Sequence, residues 1–230
     1  MNITASRVIR WSGLSAILAG ILFIVIQAIH PPELLSSVTT KAWAIVHYLT
    51  LAMSLLGLLG ITGIYARQVH AAGWTGLAGF LLFGLFWTAT TAFTFVEAFV
   101  LPVIAADAPS FVEGYLGIFA GSSAVSNLGL LPGVAPVGGG LYVLGGLLLG
   151  IATFRAGILP RWTAVLLACA AVSTLASSLL PHPLDRILAV PMGIALAGMG
   201  YAVWSERSLE AAQQRVRNQH RGRKNESHRI

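Results

Sequence analysis

Long stretches without a charged side chain dominate this sequence and restrict the folds open to it. A helix crosses the hydrocarbon core of a bilayer with about 20 apolar residues. Six windows contain no Lys, Arg, Asp or Glu: residues 11–29, 42–66, 71–96, 114–154, 162–184 and 187–205. Every window is long enough for at least one crossing, so the pattern predicts a polytopic membrane protein.

The composition excludes a soluble monomer. Charged residues make up 10% of the 230 residues, against roughly 25% in an average soluble domain. Fourteen basic and eight acidic side chains are too few to cover the surface of a globule of this size in water, whereas a bilayer requires no such cover.

The long window 114–154 divides into two halves. Its first half contains Ser122, Ser123, Ser126 and Asn127, and its second half is the better membrane span. We therefore predict an all-α bundle of six transmembrane helices in a domain 1–204, with an outer connection at about residues 107–132 that is interfacial or re-entrant. A seventh span in that connection is the alternative. The predicted spans are residues 11–29, 42–65, 74–98, 133–154, 162–180 and 187–204.

The distribution of basic residues orients the six spans. Cytoplasmic loops of membrane proteins carry an excess of Lys and Arg. With both termini in the cytoplasm, Lys41 and Arg186 are the two basic residues on the outer face, and the other 12 of 14 lie inside. A seventh span would move part of this charge outside. The predicted location is a bacterial inner membrane.

The tail, residues 205–230, contains seven of the basic residues. Basic segments beside a membrane span are attracted to anionic lipid by about 1 kcal/mol per residue. Lipid contact and topology therefore explain the tail, and nucleic acid is not expected as a partner.

Aromatic residues agree with these spans. Trp11, Trp74, Trp162 and Trp204 fall at predicted inner ends and Trp43 at an outer end, where indole rings favour the headgroup level.

Two smaller features concern packing. Gly146 and Gly150 form a GxxxG motif, which fits either close packing inside the bundle or a contact between two copies of the chain. The single cysteine, Cys169, lies in an apolar run. We expect it in the core, and one cysteine excludes an intramolecular disulfide and a multi-cysteine metal site.

Candidate chemistry gathers on the predicted outer face, because every acidic residue before the tail maps there. Glu97 lies 23 residues after Trp74, about 35 Å along a helix and near the outer edge of the hydrocarbon core. A carboxyl group at that depth suggests a functional site. His47 is at similar depth and is its predicted partner, so the two are candidate catalytic residues, an acid and a base.

Three further outer residues, His182, Asp185 and His30, are candidate ligand-binding residues. Imidazole and carboxylate groups also suit zinc or iron, but no spacing in this set is diagnostic, so metal and cofactor stay unknown. The alternative is structural: Glu97 and His47 sit shallow enough to reach headgroup water, and the prolines beside His30 and His182 reflect turns.

Several phrases resemble those of small uncharacterised bacterial multi-pass membrane proteins: GITGIYARQ, FVEAFVLPVIA, FRAGILPRW and LLPHPLDRILAVPMGIALAGMGYAVW. The resemblance covers most of residues 10–205 and implies a six-helix membrane domain. It implies no activity and no cofactor.

The sequence favours an integral inner-membrane protein that binds a lipid-like ligand or a membrane partner through its outer acidic side. The expected partners are membrane lipid and either a second copy of the chain or another membrane protein. The alternative function is a membrane-embedded enzyme that uses Glu97 and His47, with or without a metal, on an apolar substrate.

Overall fold

The structure is a computed structural model that describes residues 4–120, 127–180 and 184–205. These residues form helices and no strand, which confirms the all-α class. The helices are α1 (Ala5–Ile29), α2 (residues 41–72), α3 (residues 74–104), α4 (Pro109–Ala120), α5 (Val134–Ala156), α6 (Arg161–Ser173) and α7 (Arg186–Ser205).

Four helical segments are long and apolar enough to cross a membrane, judged by length and composition over the described residues. They are Ala5–Ile29, Lys41–Ile104, Leu131–Ala156 and Arg186–Ser205. Large apolar side chains such as Ile21, Leu81 and Ile194 are exposed on their outer surfaces. An apolar exterior of this kind suits lipid rather than water.

The segment Lys41–Ile104 is two antiparallel helices rather than one. Gly73 interrupts it with φ 57° and ψ −163°, a backbone conformation open almost only to glycine. The reversal brings the chain back on itself, and Thr91 of α3 donates a hydrogen bond of 2.8 Å to Ser54 of α2. The sequence predicted a loop over residues 66–73, but helix α2 continues to residue 72.

Helix α6 is shorter than the predicted span 162–180. Its α-helical part ends at Ser173, and a 3₁₀ helix, Thr174–Leu179, follows. The Ser173 and Thr174 hydroxyls donate to the carbonyls of Ala170 and Ala171, three residues back, where they compete with the regular backbone bonds. Because a 3₁₀ helix rises about 2.0 Å per residue, the whole segment still extends about 30 Å.

Small residues bring sequential helices into antiparallel contact. A Cβ atom added to Gly60 in α2 would lie 2.7 Å from the Cα of Ala16 in α1, and one on Gly145 in α5 would lie 2.5 Å from the backbone nitrogen of Phe83 in α3. Side chains larger than hydrogen at these glycines would separate the backbones. Close backbone approach of this kind is how helices associate in lipid.

The GxxxG motif packs inside the chain. A Cβ on Gly146 would lie 2.7 Å from the Cβ of Ala171, and one on Gly150 would lie 2.8 Å from the carbonyl oxygen of Ala164. Both partners belong to α6. Of the two interpretations of this motif, the structure therefore uses it for packing of α5 on α6.

Helices α1 and α7 close the bundle. A Cβ on Gly13 would lie 2.8 Å from the Gly200 carbonyl oxygen, and one on Gly20 would lie 2.3 Å from the Gly193 carbonyl oxygen. The pairing runs in opposite directions along the two helices, so they are antiparallel. Gly198 of α7 packs against Trp162 of α6.

Two placements differ from the sequence expectations. Cys169 is exposed on α6, because it lies on the side of the helix that faces away from the bundle, whereas its neighbours Ala170 and Ala171 are buried in the core. Trp43 is fully buried instead of lying at the bundle surface, because its indole fills the space between α2 and α3. The other four predicted belt residues, Trp11, Trp74, Trp162 and Trp204, are exposed.

The antiparallel arrangement separates charge between two ends of the bundle. We call one the basic end, defined by Arg7, Arg10, Arg67, Arg155 and Arg161, and the other the acidic end, defined by Glu33, Glu97, Asp107 and Glu113. At the basic end, the Arg10 guanidinium lies 5.3 Å from the ring centroid of Trp204. This contact ties the start of α1 to the end of α7.

Candidate functional site

Helix α4 packs across the acidic end and forms a second core there. Its described part has 12 residues, about 18 Å, which is less than the hydrocarbon core of about 30 Å. Its buried face meets the α1–α2 connection and the last turns of α3. The buried members of this cluster are Val38, Trp43, Phe93, Leu101, Val112, Tyr115 and Leu116.

Glu97 lies in a π-helical turn, Val96–Val100, near the end of α3. Within this turn the Leu101 N–H bonds to the Val96 carbonyl, five residues back. Pro102 has no N–H to offer. The Glu97 carbonyl therefore lacks both of these backbone donors, and the Trp43 indole N–H donates to it at 2.9 Å.

The side chains of His47 and Glu97 meet beside this bond. His47 Nε2 lies 3.6 Å from Glu97 Oε2, slightly more than the length of a direct hydrogen bond. The His47 side chain is 2% exposed and that of Glu97 is 17% exposed. The structure thus brings the predicted pair together, and a catalytic role for it stays a prediction.

The His47 ring is held in one orientation. Its Nδ1 lies 2.8 Å from the Trp43 carbonyl oxygen, and its ring stacks on the Trp43 indole with centroids 3.9 Å apart. A neutral imidazole bonded in this way carries its proton on Nδ1, so Nε2 is an acceptor that faces the Glu97 carboxyl. A protonated Glu97 would donate to Nε2 if the two side chains approached by a few tenths of an ångström.

His30 joins this pair to α7. Its ring centroid lies 5.4 Å from that of His47, and its Nδ1 is 3.3 Å from Arg186 Nη2 and 2.8 Å from the Pro31 carbonyl oxygen. Arg186 Nη2 is also 3.9 Å from Glu33 Oε1. Three helices, α2, α3 and α7, and the connection between α1 and α2 therefore contribute ionisable groups to one continuous polar region at the acidic end.

Tyr115 of α4 completes the lining of this region. Its hydroxyl donates to the Phe93 carbonyl at 3.0 Å, and the two rings stack with centroids 4.3 Å apart. Burial, with a smaller contribution from the Glu97 carboxyl, raises the pKa of the Tyr115 hydroxyl. The phenol therefore stays protonated and keeps its donor role.

The structure does not describe the side chains of the two remaining candidate residues, His182 and Asp185. His182 lies outside the described residues, and the same holds for the side chain of Asp185, whose backbone belongs to a 3₁₀ turn, Leu184–Leu188. Among the described residues, no three His, Cys, Asp or Glu side chains are arranged to hold a metal ion.

A cavity of about 430 Å³ lies between α1, α3, α5, the 3₁₀ end of α6 and the start of α7. Its lining is mainly apolar and aromatic. The residues are Phe23, Gln27, Phe86, Ala89, Thr90, Phe93, Val134, Ala135, Gly138, Gly139, Tyr142, Val143, Thr174, Leu175, Arg186, Leu188 and Ala189. Arg186 belongs both to this lining and to the polar region.

The cavity adds residues that sequence reasoning missed. A Cβ added to Gly138 or Gly139 would meet no atom within 4 Å, so these glycines leave space in the cavity. The Tyr142 hydroxyl is buried with no hydrogen-bond partner among the described residues. A run of three glycines in a span was the available signal, but it did not distinguish an open wall from a packing contact.

The arrangement has two chemical possibilities. The cavity can hold an apolar molecule with polar groups at Arg186 and Tyr142, and the His47–Glu97 pair can exchange a proton. His47 and Glu97 do not line this cavity. Comparison of the chain with protein-family models, curated proteins and solved structures gives no match.

Proposed function

We propose that this chain is a six-span protein of a bacterial inner membrane that binds a lipid-like ligand in the cavity between α1, α3, α5 and α7. The observation that supports it is the cavity itself, about 430 Å³ with an aromatic and aliphatic lining. Ligand sites are concave, mostly apolar spaces of about 300–1,000 Å³ with a few placed polar groups. This cavity fits that description.

The open glycine wall strengthens the proposal. Helix interiors that only pack leave no room beside a glycine, as at Gly20 and Gly145. Gly138 and Gly139 instead border free space in the same bundle. The cavity is open on one side, so an apolar chain could enter it and make dispersion contacts with its walls.

The proposed topology places α1, α2, α3, α5, α6 and α7 across the bilayer, α4 at the outer surface and both termini in the cytoplasm. Positive charge and exposed indoles at the basic end support this orientation. Arg7, Arg10 and Arg161 lie at that end, together with the exposed Trp11 and Trp162. The acidic end would then face the periplasm.

Ligand binding is tested on the purified protein by native mass spectrometry and lipid extraction. We expect a co-purifying amphiphile in the unmodified chain and its loss in Gly139→Leu, which would fill the cavity. Gly140→Leu is the matched control, because Gly140 also has open space beside it but does not line the cavity. Equal occupancy in both variants would overturn the proposal.

Topology is tested separately by cysteine labelling in a Cys169→Ala background. A cysteine at Ser110 should react with an impermeant maleimide from outside the cell. A reporter fused after Trp204 should be active only in the cytoplasm. A periplasmic reporter signal would contradict the six-span arrangement.

A membrane-embedded enzyme is the second candidate, and the 3.6 Å approach of His47 to Glu97 favours it. Burial beside a partner is a common way to prepare an acid and a base. If the pair reacts with an apolar substrate, Glu97→Gln should abolish turnover of the co-purified ligand while leaving its binding intact. No chemical change of that ligand by the unmodified protein would remove this candidate.

A further inference from the structure

We infer that the ligand of this cavity is an amphiphile with an acidic headgroup that places one hydrocarbon chain in the cavity, and that Arg186 binds the headgroup. This inference rests on the proposed function and adds the chemical class of the ligand. It follows from the charge of the lining, the state of the arginine and the dimensions of the apolar part.

One cationic side chain lies in the wall of the cavity. Among the described residues that line the cavity, Arg186 is the charged one, and none is Asp or Glu. A cation on the wall of an otherwise apolar space attracts an anion strongly, since little water screens the interaction there. A neutral headgroup would accept only a weaker hydrogen bond from this residue, and a cationic headgroup would be repelled.

Arg186 has donors to spare. Its guanidinium carries five N–H groups, and its described contacts are a long approach of 3.9 Å to Glu33 and one of 3.3 Å to His30, both through Nη2. A carboxylate or phosphate prefers two parallel bonds at about 2.7–2.9 Å. The existing contacts hold the side chain beside the cavity without forming such a paired arrangement.

The position of Arg186 in the fold adds to this preference. It begins α7, and Leu188 and Ala189 in the next turn also line the cavity. The amino-terminal end of a helix presents free N–H groups and a positive partial charge. Arg186 lies in the 3₁₀ turn Leu184–Leu188, so an anion bound to its guanidinium would also lie near the start of α7.

Tyr142 supplies a second, independent observation. It is 6% exposed, it lines the cavity, and its buried hydroxyl has no partner among the described residues. A buried hydroxyl without a partner is costly, so a ligand oxygen that accepts from it would be favoured. Carboxylate, phosphate and ester groups all contain such oxygens.

The apolar part of the lining suits one hydrocarbon chain. Phe23, Phe86, Val143 and Leu175 come from four different segments and surround the space. Its volume is near the lower end of the usual range for ligand sites. This favours a molecule with one chain in the cavity, whether a free fatty acid or one acyl chain of an acidic phospholipid.

The experiment measures binding of a fluorescent palmitate analogue to the full chain in nanodiscs of phosphatidylcholine, with the matching hexadecanol analogue as the neutral probe. We expect palmitate to bind at least tenfold more tightly than hexadecanol. Arg186→Gln should remove this tenfold preference, which corresponds to about 1.4 kcal/mol, because the substitution removes the charged donor that pairs with the carboxylate. Arg186→Lys should restore part of it.

Lys41→Gln is the control for a general loss of positive charge. Lys41 lies at the same end of the bundle but does not line the cavity, so its replacement should leave the preference unchanged. Adding phosphatidylglycerol to the nanodiscs distinguishes the two sources of the headgroup. Competition with palmitate identifies the phospholipid as an occupant, and unchanged palmitate binding identifies the free acid.

The outcomes separate this inference from the proposed function. Equal affinity for palmitate and hexadecanol in the unmodified protein, both lost in Gly139→Leu, would overturn the acidic headgroup and leave the cavity as a binding site. Failure of both probes, and of phosphatidylglycerol, to bind would overturn the proposed function as well. The comparison of headgroups uses the unmodified chain, so it holds even if Arg186→Gln fails to fold.

Discussion

Two buried tryptophans allow the hydrogen bond at the π-helical turn to be measured against an internal control. Trp43 and Trp87 are both 0% exposed. The Trp43 indole donates to the Glu97 carbonyl at 2.9 Å, whereas the Trp87 indole N–H has no partner among the described residues. Substitution by phenylalanine removes the same atoms at both sites, so the loss of packing is similar and largely cancels in the comparison.

The hydrogen bond makes the two substitutions differ. Trp43→Phe leaves the Glu97 carbonyl without this donor, at a cost of about 1–3 kcal/mol. Trp87→Phe removes a buried N–H that has no partner, which regains free energy of the same order. Since the Glu97 side chain is 17% exposed, water can reach the area and the lower values apply. We expect Trp43→Phe to be the more destabilising by about 2 kcal/mol.

The assay is reversible unfolding of the purified protein in mixed micelles, with increasing dodecyl sulfate and helix content followed by circular dichroism. The free energies of unfolding of the two variants are compared with each other rather than with the unmodified chain alone. Equal destabilisation, or a larger effect of Trp87→Phe, would refute the idea that Trp43 supplies the donor that the π-helical turn leaves missing.

Three glycine substitutions and one cysteine label test the fold. Gly73→Ala should cost about 1–3 kcal/mol although nothing lies within 4 Å of its Cβ, because its backbone conformation is open almost only to glycine. Gly20→Ala should cost a similar amount by forcing α1 away from the Gly193 carbonyl, 2.3 Å from the new Cβ, since overpacking costs about 1–3 kcal/mol. In the same unfolding assay, Gly140→Ala should be neutral or stabilising by about 0.5–1 kcal/mol. Equal effects of the three glycine substitutions would contradict both the backbone argument for Gly73 and the packing argument for Gly20. Cys169, exposed on α6, should react with a lipophilic maleimide in the folded protein, and reaction only after unfolding would contradict its placement.

Sequence alone determined the helical class and the existence of apolar segments. The number of residues between charged side chains is visible in the sequence, and it sets which segments are long enough to cross a bilayer. It also placed the acidic groups together at one end of the bundle, since the charged residues of a membrane protein lie at the boundaries of its apolar segments. The approach of His47 to Glu97 followed from equal depth on two adjoining helices. Such depth is counted along the chain at about 1.5 Å per residue.

The tertiary structure alone decided which face of each helix meets a neighbour. In a lipid environment both the interior and the exterior are apolar, so hydrophobic periodicity does not mark the buried face. For that reason Cys169 lies outside, Trp43 lies inside, and the adjacent Gly138 and Gly139 of α5 line a cavity rather than a contact. The cavity and the place of Arg186 in it depend on five segments distant in sequence, and only their packing brings them together.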